Sequence, residues 1–303
     1  MLIDGILDTL ANMKTILVPI DFSKPAENAA TYAMHLAKTT GANLTLCHAQ
    51  YFPVEIPTES FGSWNGYDLA TLTEESMMAL EELATKLRNK LVESSLPGAF
   101  RPEISCITEP GGAVDVITRL AKKLQPRLVV MGMTGAGTLA RLVFGSISRS
   151  MIEHTQQPLI LVPDGFLFSN IKKIAFATSL AEEDCEVIHA LASFARFFNA
   201  DLLAAHVLSS EKSDQAQELR LKNFLSDVTC KINYDKIYYR QVDKESVNQG
   251  LDWLSEHGLI DLLVMVHRQK GLFESLFSSH THARASHLNL PLMVMPLNTH
   301  PVF

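Results

Sequence analysis

The sequence predicts an α/β protein in which parallel sheets are covered by helices on both faces. Short apolar runs alternate along the chain with helical segments, as expected for strands joined by crossover helices. The same plan occurs twice within the 303 residues. With 47% hydrophobic and 19% charged residues, the composition is that of a globular protein of about two domains.

The first strand is the apolar run at residues 14–20, which ends at Asp21. An alanine-rich helix follows from Ser23, a preferred helix-capping residue, and Gly41 ends it. The next apolar run, residues 42–49, is the second strand. These elements make one strand, helix, strand unit with its strands parallel.

The polar stretch at residues 51–67 contains prolines and glycines and predicts a long loop. Long loops in compact domains are often functional or mobile. A strongly helical run at 73–93 follows, and then a third strand at 102–107. Residues 112–124 predict the third helix, which leads to the fourth strand at 128–131.

The fourth strand leads into a glycine pattern that predicts a phosphate-binding loop. Gly132 and Gly135 are followed, after nine further residues, by Gly145 and Ser146. Glycines let backbone N–H groups approach an anion with no Cβ in the way, and a serine at a helix start adds a hydroxyl to the unpaired N–H groups. The helix after the loop is predicted to carry on one face the apolar residues Ile147, Met151 and Ile152.

The two halves of the chain are related by an internal repeat. The segment from residue 14 aligns with the segment from residue 172 at an offset of 158 residues. The last strands of the two halves, residues 159–162 and 292–295, are offset by only 133 residues. The second copy is therefore 25 residues shorter, and most of the missing length matches residues 51–75.

This repeat predicts two domains of similar architecture. The predicted bounds are a first domain at residues 1–163, of which 1–12 form an N-terminal extension, a linker at 164–171 and a second domain at 172–303.

Charge and cysteine content argue against several classes of function. The net charge of −7 and a pI near 5.9 disfavour non-specific binding to nucleic acid or acidic membranes, because both need a basic face. The four cysteines form no C-x-x-C pair, so they indicate neither a metal framework nor a disulfide scaffold. Neither a signal peptide nor an apolar run of membrane-spanning length is recognised, and we expect a cytoplasmic location.

Asp21 after the first strand, together with Gly132, Gly135, Gly145 and Ser146 after the fourth, makes the chain resemble a tandem universal stress protein. The resemblance covers residues 13–296. It implies two domains that are five-stranded parallel open sheets of the adenine nucleotide alpha-hydrolase-like type, and it implies that the first domain binds ATP.

The resemblance also implies a role for each residue. The glycine loop would hold the phosphates of ATP, with Mg²⁺ as an optional companion, and Asp21 would contact the adenosine part. The backbone of Ala49, at the end of the second strand, matches a position that meets the adenine. Ligands of open α/β sheets lie beyond the carboxyl ends of the strands, which agrees with these positions. The implied nucleotide-binding residues are Asp21, Ala49, Gly132, Thr134, Gly135, Gly145 and Ser146.

The second domain departs from this pattern. Strand-end alignment puts Val266 and Gln269 at the first two glycine positions, and Ser179 matches Asp21. Because side chains there would obstruct the approach of phosphates, we predict that the second half does not bind ATP in this manner. The basic stretch at 267–270 either holds another anion or is a solvated loop, and the second interpretation is favoured.

The residues leave other interpretations open. The glycine loop could be only a tight connection, and Asp21 could be only a helix-capping residue. A dinucleotide fold is disfavoured because its glycine motif follows the first strand, and no Gly-Lys-Ser/Thr P-loop is present. His280, His282 and His287 share their segment with no cysteine, so we expect no metal site.

The catalytic set beside the loop is thin. Fast phosphoryl transfer needs a placed base, a charge clamp and a metal carboxylate, whereas only Asp21, Thr134 and Arg141 stand near the pattern. We therefore expect an ATP-binding stress-response protein with a regulatory role, no assigned catalytic residue and slow hydrolysis at most. The alternatives are a structural or interaction module without nucleotide, and a slow ATPase.

The resemblance makes one further prediction, about assembly. The last strands of the two halves, residues 159–162 and 292–295, should meet, so that the two domains form a pseudo-dimer within one chain. The sequence does not decide whether two chains then form a homodimer.

Overall fold

The computed structural model describes residues 14–51, 66–133, 145–208, 215–268 and 289–296. The chain divides into two compact units, residues 1–131 and 132–303. Both units consist of a largely parallel sheet with helices between the strands, which confirms the predicted α/β class. The domain bounds derived from the repeat, 1–163 and 172–303, remain a prediction.

The first unit has a sheet in the order β3-β2-β1-β4, with neighbouring strands parallel. Its last strand continues two residues into the second unit. The strands are β1 (Thr15–Pro19), β2 (Asn43–Gln50), β3 (Ile104–Pro110) and β4 (Leu128–Met133). The helices are α1 (Lys24–Thr40), α2 (Gly66–Ser94) and α3 (Ala113–Leu124).

Local signals set the ends of α1. The hydroxyl of Ser23 accepts a hydrogen bond from the backbone N of Ala26 at 3.4 Å, which caps the first turn. Gly41 ends the helix in the left-handed conformation, at φ 70°, where a residue without a Cβ is favoured. Between these ends the helix buries a face rich in small alanines, so its backbone can approach the sheet closely.

The second unit has the strand order β5-β10-β9-β6-β7-β8. Its strands are β5 (Leu159–Pro163), β6 (Lys173–Ala177), β7 (Asp201–Leu208), β8 (Ile237–Asp243), β9 (Leu262–Val266) and β10 (Leu292–Met295). Its helices are α4 (Ser146–His154), α5 (Asp184–Phe198), α6 (Gln215–Lys231) and α7 (Val247–His257).

One pair of strands in the second unit is antiparallel. β5 pairs with β10 so that Leu161 lies opposite Leu292 and Leu159 opposite Val294. All four of these leucine and valine side chains are fully buried. The prediction that residues 159–162 meet residues 292–295 is confirmed at the level of strand pairing.

Several side-chain contacts and backbone angles recur at the offset of 158 residues. Nδ1 of His48 lies 2.7 Å from the carbonyl oxygen of Ile20, and Nδ1 of His206 lies 3.0 Å from that of Thr178. These matches lie beyond the ends of β1 and β6, so the two halves repeat the local geometry there. The same offset relates residues with positive φ: Phe22 with Leu180, and Gly41 with Asn199.

Three sequence expectations need correction. Helix α2 begins at Gly66, so residues 66 and 67 belong to a helix and not to the loop predicted at 51–67. Strand β4 extends to Met133, which is 3% exposed, because the chain stays buried past the predicted end. Gly132 therefore lies in a strand. In α4, Ile147 is 42% exposed while Ser148 is buried with Met151 and Ile152, because neighbouring helical residues point about 100° apart.

None of the helices in the described ranges combines the length and apolar character needed to cross a lipid bilayer.

Candidate functional site

The carboxyl ends of β2, β1 and β4 lie at one edge of the first unit's sheet, because these neighbouring strands are parallel. Asp21 follows the end of β1 by two residues. Ala49 is the penultimate residue of β2, and Gly132 is the penultimate residue of β4. Three predicted residues thus occupy strand ends, the position at which open α/β sheets receive ligands.

Asp21 is exposed, and one oxygen of its carboxylate accepts hydrogen bonds at the start of α1. Its Oδ1 accepts hydrogen bonds from the backbone N of Ser23 at 3.0 Å and from the Ser23 hydroxyl at 2.5 Å. The interpretation of Asp21 as a helix-capping residue therefore accounts for Oδ1 but not for Oδ2. Oδ2 has no hydrogen-bond partner among the described residues, so this oxygen can accept a donor from a ligand.

Phe22 and His48 lie beside Asp21, and sequence reasoning did not single them out. Phe22 adopts φ 60° and is 37% exposed, and its ring lies 4.6 Å from the ring of His48. A carbonyl oxygen can only accept, so the His48 Nδ1 that faces Ile20 carries a proton. No residue pattern signals a phenylalanine in the left-handed region, which L side chains rarely adopt.

Helix α4 begins with Gly145 as its N-cap residue. Among the described residues no side chain caps this helix, and its first turn contains no acidic residue. Each other helix with a described N-cap has a capping side chain or a first-turn acid. Ser146 is exposed at this end. The N–H groups of a first helical turn and the positive end of the helix dipole together favour an anion.

The backbone of Gly145 does not require glycine. Its φ of −61° and ψ of 163° are accessible to any residue, so a tight turn does not explain the glycine at this position. Close approach of a ligand to the backbone would explain it. The predicted residues Thr134 and Gly135, and also Arg141, lie outside the described residues.

Within the basic stretch after β9, Arg268 differs from the favoured expectation of a solvated loop. The side chain of Arg268 is only 21% exposed, and it forms an ion pair with the buried Asp184. Val266, aligned with Gly132, is the last residue of β9, and Ser179, aligned with Asp21, lies two residues beyond the end of β6. Gln269 and the three clustered histidines fall outside the described residues.

A cavity of about 780 Å³ lies between α5 and α6 in the second unit. Its floor includes Cys185 and Phe224, and its rim carries side chains of both charges, among them Glu186, Arg220 and Lys231. None of the predicted nucleotide-binding residues that the structure describes lines it.

The buried Cys47 and the half-buried Cys106 have thiols that are poor nucleophiles. Burial raises the pKa of Cys47 far above that of an exposed thiol, and burial followed by the charge of Glu81 raises the pKa of Cys106 to about 12. The described residues contain no group of three or more His, Cys, Asp or Glu side chains arranged to hold a metal ion.

The sequence profile of the universal stress protein family matches residues 12–163, which is half of the chain. The chain belongs to the universal stress protein family. A universal stress protein of Staphylococcus aureus strain USA300 is 26% identical to it over 171 residues, covering 56% of this chain and 96% of the relative.

Solved universal stress proteins share the fold. One from Archaeoglobus fulgidus DSM 4304 superposes with a TM-score of 0.69 at 14% identity, covering 94% of this chain and 99% of that one. Another, solved in complex with cAMP, is 20% identical, with a TM-score of 0.37 over 50% of this chain and 99% of its own. The cAMP complex is a property of that protein.

Proposed function

We propose that this universal stress protein binds one ATP molecule per chain, through its first half, and acts as a nucleotide-dependent regulatory module in a cytoplasmic stress response. Bound nucleotide would order the segment between β4 and α4 and so change a surface that a protein partner recognises. Hydrolysis is slow at most in this proposal, because the described residues provide no positioned general base and no charge clamp beside the strand ends.

The observation that carries the proposal is the N-terminus of α4. The N-cap is a glycine with an ordinary φ, and among the described residues no side chain caps the helix and no acid lies in its first turn. The N–H donors of a first helical turn can then bind an anion. A nucleotide phosphate supplies the missing acceptors and negative charge. Gly132, Thr134, Gly135, Gly145 and Ser146 would hold the phosphates, with Mg²⁺ as an optional companion.

The adenosine part would meet the ends of β1 and β2. Oδ2 of Asp21 is available to accept a hydroxyl donor, as a ribose provides. Ala49 has a small side chain at its strand end, so its backbone would be reachable by the edge of an adenine. These two assignments follow from the strand-end geometry and from the family resemblance.

We further propose that the chain is a tandem of two universal stress domains that form a pseudo-dimer through β5 and β10. The recurrence of the His48 and His206 contacts at a fixed offset supports the repeat, and the antiparallel pairing of the two strands supports the pseudo-dimer. Only the first domain carries the glycine pattern.

The proposal is tested by identifying what the purified protein carries. The chain is denatured, and the released small molecules are analysed by mass spectrometry and nucleotide chromatography. Release of ATP or ADP is expected. Absence of adenine nucleotide, combined with no heat of binding when ATP is titrated into the protein, would refute the proposal and favour a nucleotide-free interaction module.

A further inference from the structure

The second unit carries an ion pair between a buried carboxylate and a largely buried guanidinium beyond the carboxyl ends of β6 and β9. These two strands are parallel neighbours, so their ends lie at the same edge of the sheet. Asp184, the first residue of α5, is 1% exposed, and its Oδ1 accepts a hydrogen bond of 2.5 Å from Nη2 of Arg268. Nη1 of Arg268 donates to the hydroxyl of Ser179. The guanidinium thereby connects the end of β9 to the loop after β6.

The second oxygen of Asp184 is held by the loop between β6 and α5. Oδ2 accepts hydrogen bonds from the Thr178 hydroxyl at 2.7 Å and from the backbone N of Ser179 and Ala181 at 3.0 and 3.2 Å. A carboxylate buried this deeply is stable because donors and a cation compensate it. The exposed side chain of Glu183 lies nearby, with its Oε2 3.9 Å from Nη2 of Arg268.

The first half contains neither member of this pair. At the offset of 158 residues Asp184 corresponds to Ala26, a buried alanine of α1. Strand-end alignment places Arg268 at the position of Thr134, and Ser179 at that of Asp21. The second half thus has a cation and a buried carboxylate where the first half has small or neutral residues.

We propose that Arg268 and Asp184 form an internal lock, in which the chain's own guanidinium fills the strand-end crevice of the second half as a ligand would. The contacts described for the lock lie within the second unit, so the proposal stands whether or not the first half binds ATP. Removal of the guanidinium alone would convert the crevice into a site for a planar cation of the guanidinium class.

The test is chemical rescue of Arg268→Ala. Breaking a buried pair on one side leaves an uncompensated charge, so the thermal unfolding midpoint should fall by roughly 6–20 °C. Methylguanidinium chloride at low millimolar concentration should raise the midpoint of this variant by about 3–6 °C. Wild type and the double variant Arg268→Ala/Asp184→Asn should not respond. Arg101→Ala, at an exposed arginine, is the matched control and should keep the wild-type midpoint.

Two results would overturn the lock. One is a wild-type midpoint for Arg268→Ala, and the other is an equal methylguanidinium response in the single and double variants. If Arg268→Ala does not fold, Arg268→Lys replaces it, since lysine keeps the charge but lacks the planar fork. Its midpoint should lie below that of wild type, and an unchanged midpoint would contradict the proposal.

Discussion

Replacing Gly145 by aspartate should stabilise the protein and weaken ATP binding at the same time. The φ of −61° and ψ of 163° at this N-cap suit aspartate, which would supply the absent capping oxygen and a negative charge. An aspartate cap in place of glycine contributes a few tenths of a kcal/mol, and a charge at the helix dipole contributes about 0.3–1 kcal/mol. The thermal midpoint should therefore rise by roughly 1–5 °C.

The same carboxylate would repel a phosphate bound at the start of α4. Two unit charges 4 Å apart repel by about 4 kcal/mol at an effective dielectric constant of 20, so ATP affinity should fall by at least about 100-fold. Isothermal titration and thermal unfolding measure the two effects. Gly145→Asn is the matched control, because asparagine caps without charge and should cost less affinity. Unchanged ATP affinity in Gly145→Asp, at a raised midpoint, would refute the placement of phosphate at this helix.

Two further substitutions test particular close contacts. Gly132→Val introduces a β-branched side chain in β4 and should weaken ATP binding by roughly 10-fold or more in titrations, while circular dichroism shows that the fold is retained. The control Gly112→Ala, at the N-cap of α3, should bind ATP normally, and equal ATP affinities of the two variants would contradict the site. Gly250→Ala places a Cβ about 2.5 Å from Cγ2 of Val207 and should lower the free energy of unfolding by about 1–3 kcal/mol in urea titrations. If the additional substitution Val207→Ala does not restore part of this stability, the steric cause is contradicted.

Local signals in the sequence predicted much of the first half. Ser23 and Gly41 mark the ends of α1 because a capping hydroxyl and a left-handed glycine act on neighbouring backbone groups. The apolar run before Asp21 predicted β1, because this signal too depends only on residues that are close in the sequence. The strand-end positions of Asp21 and Gly132 followed from the alternation of strands and helices.

Interactions between distant residues were beyond such reasoning. Arg268 and Asp184 are 84 residues apart, so their pairing depends on β6 and β9 becoming neighbours. The stretch at 267–270 therefore looked like a solvated loop in the sequence. Ile147 was misplaced for a different reason, since a shift of one residue changes the helix face while the apolar composition stays the same.

The number of ATP molecules bound per chain tests the asymmetry between the two halves most directly. Isothermal titration of the full chain with ATP, checked by counting nucleotide released from the saturated protein, should give a stoichiometry near one. A stoichiometry near two, or no binding, would contradict the claim that the first half alone holds the nucleotide.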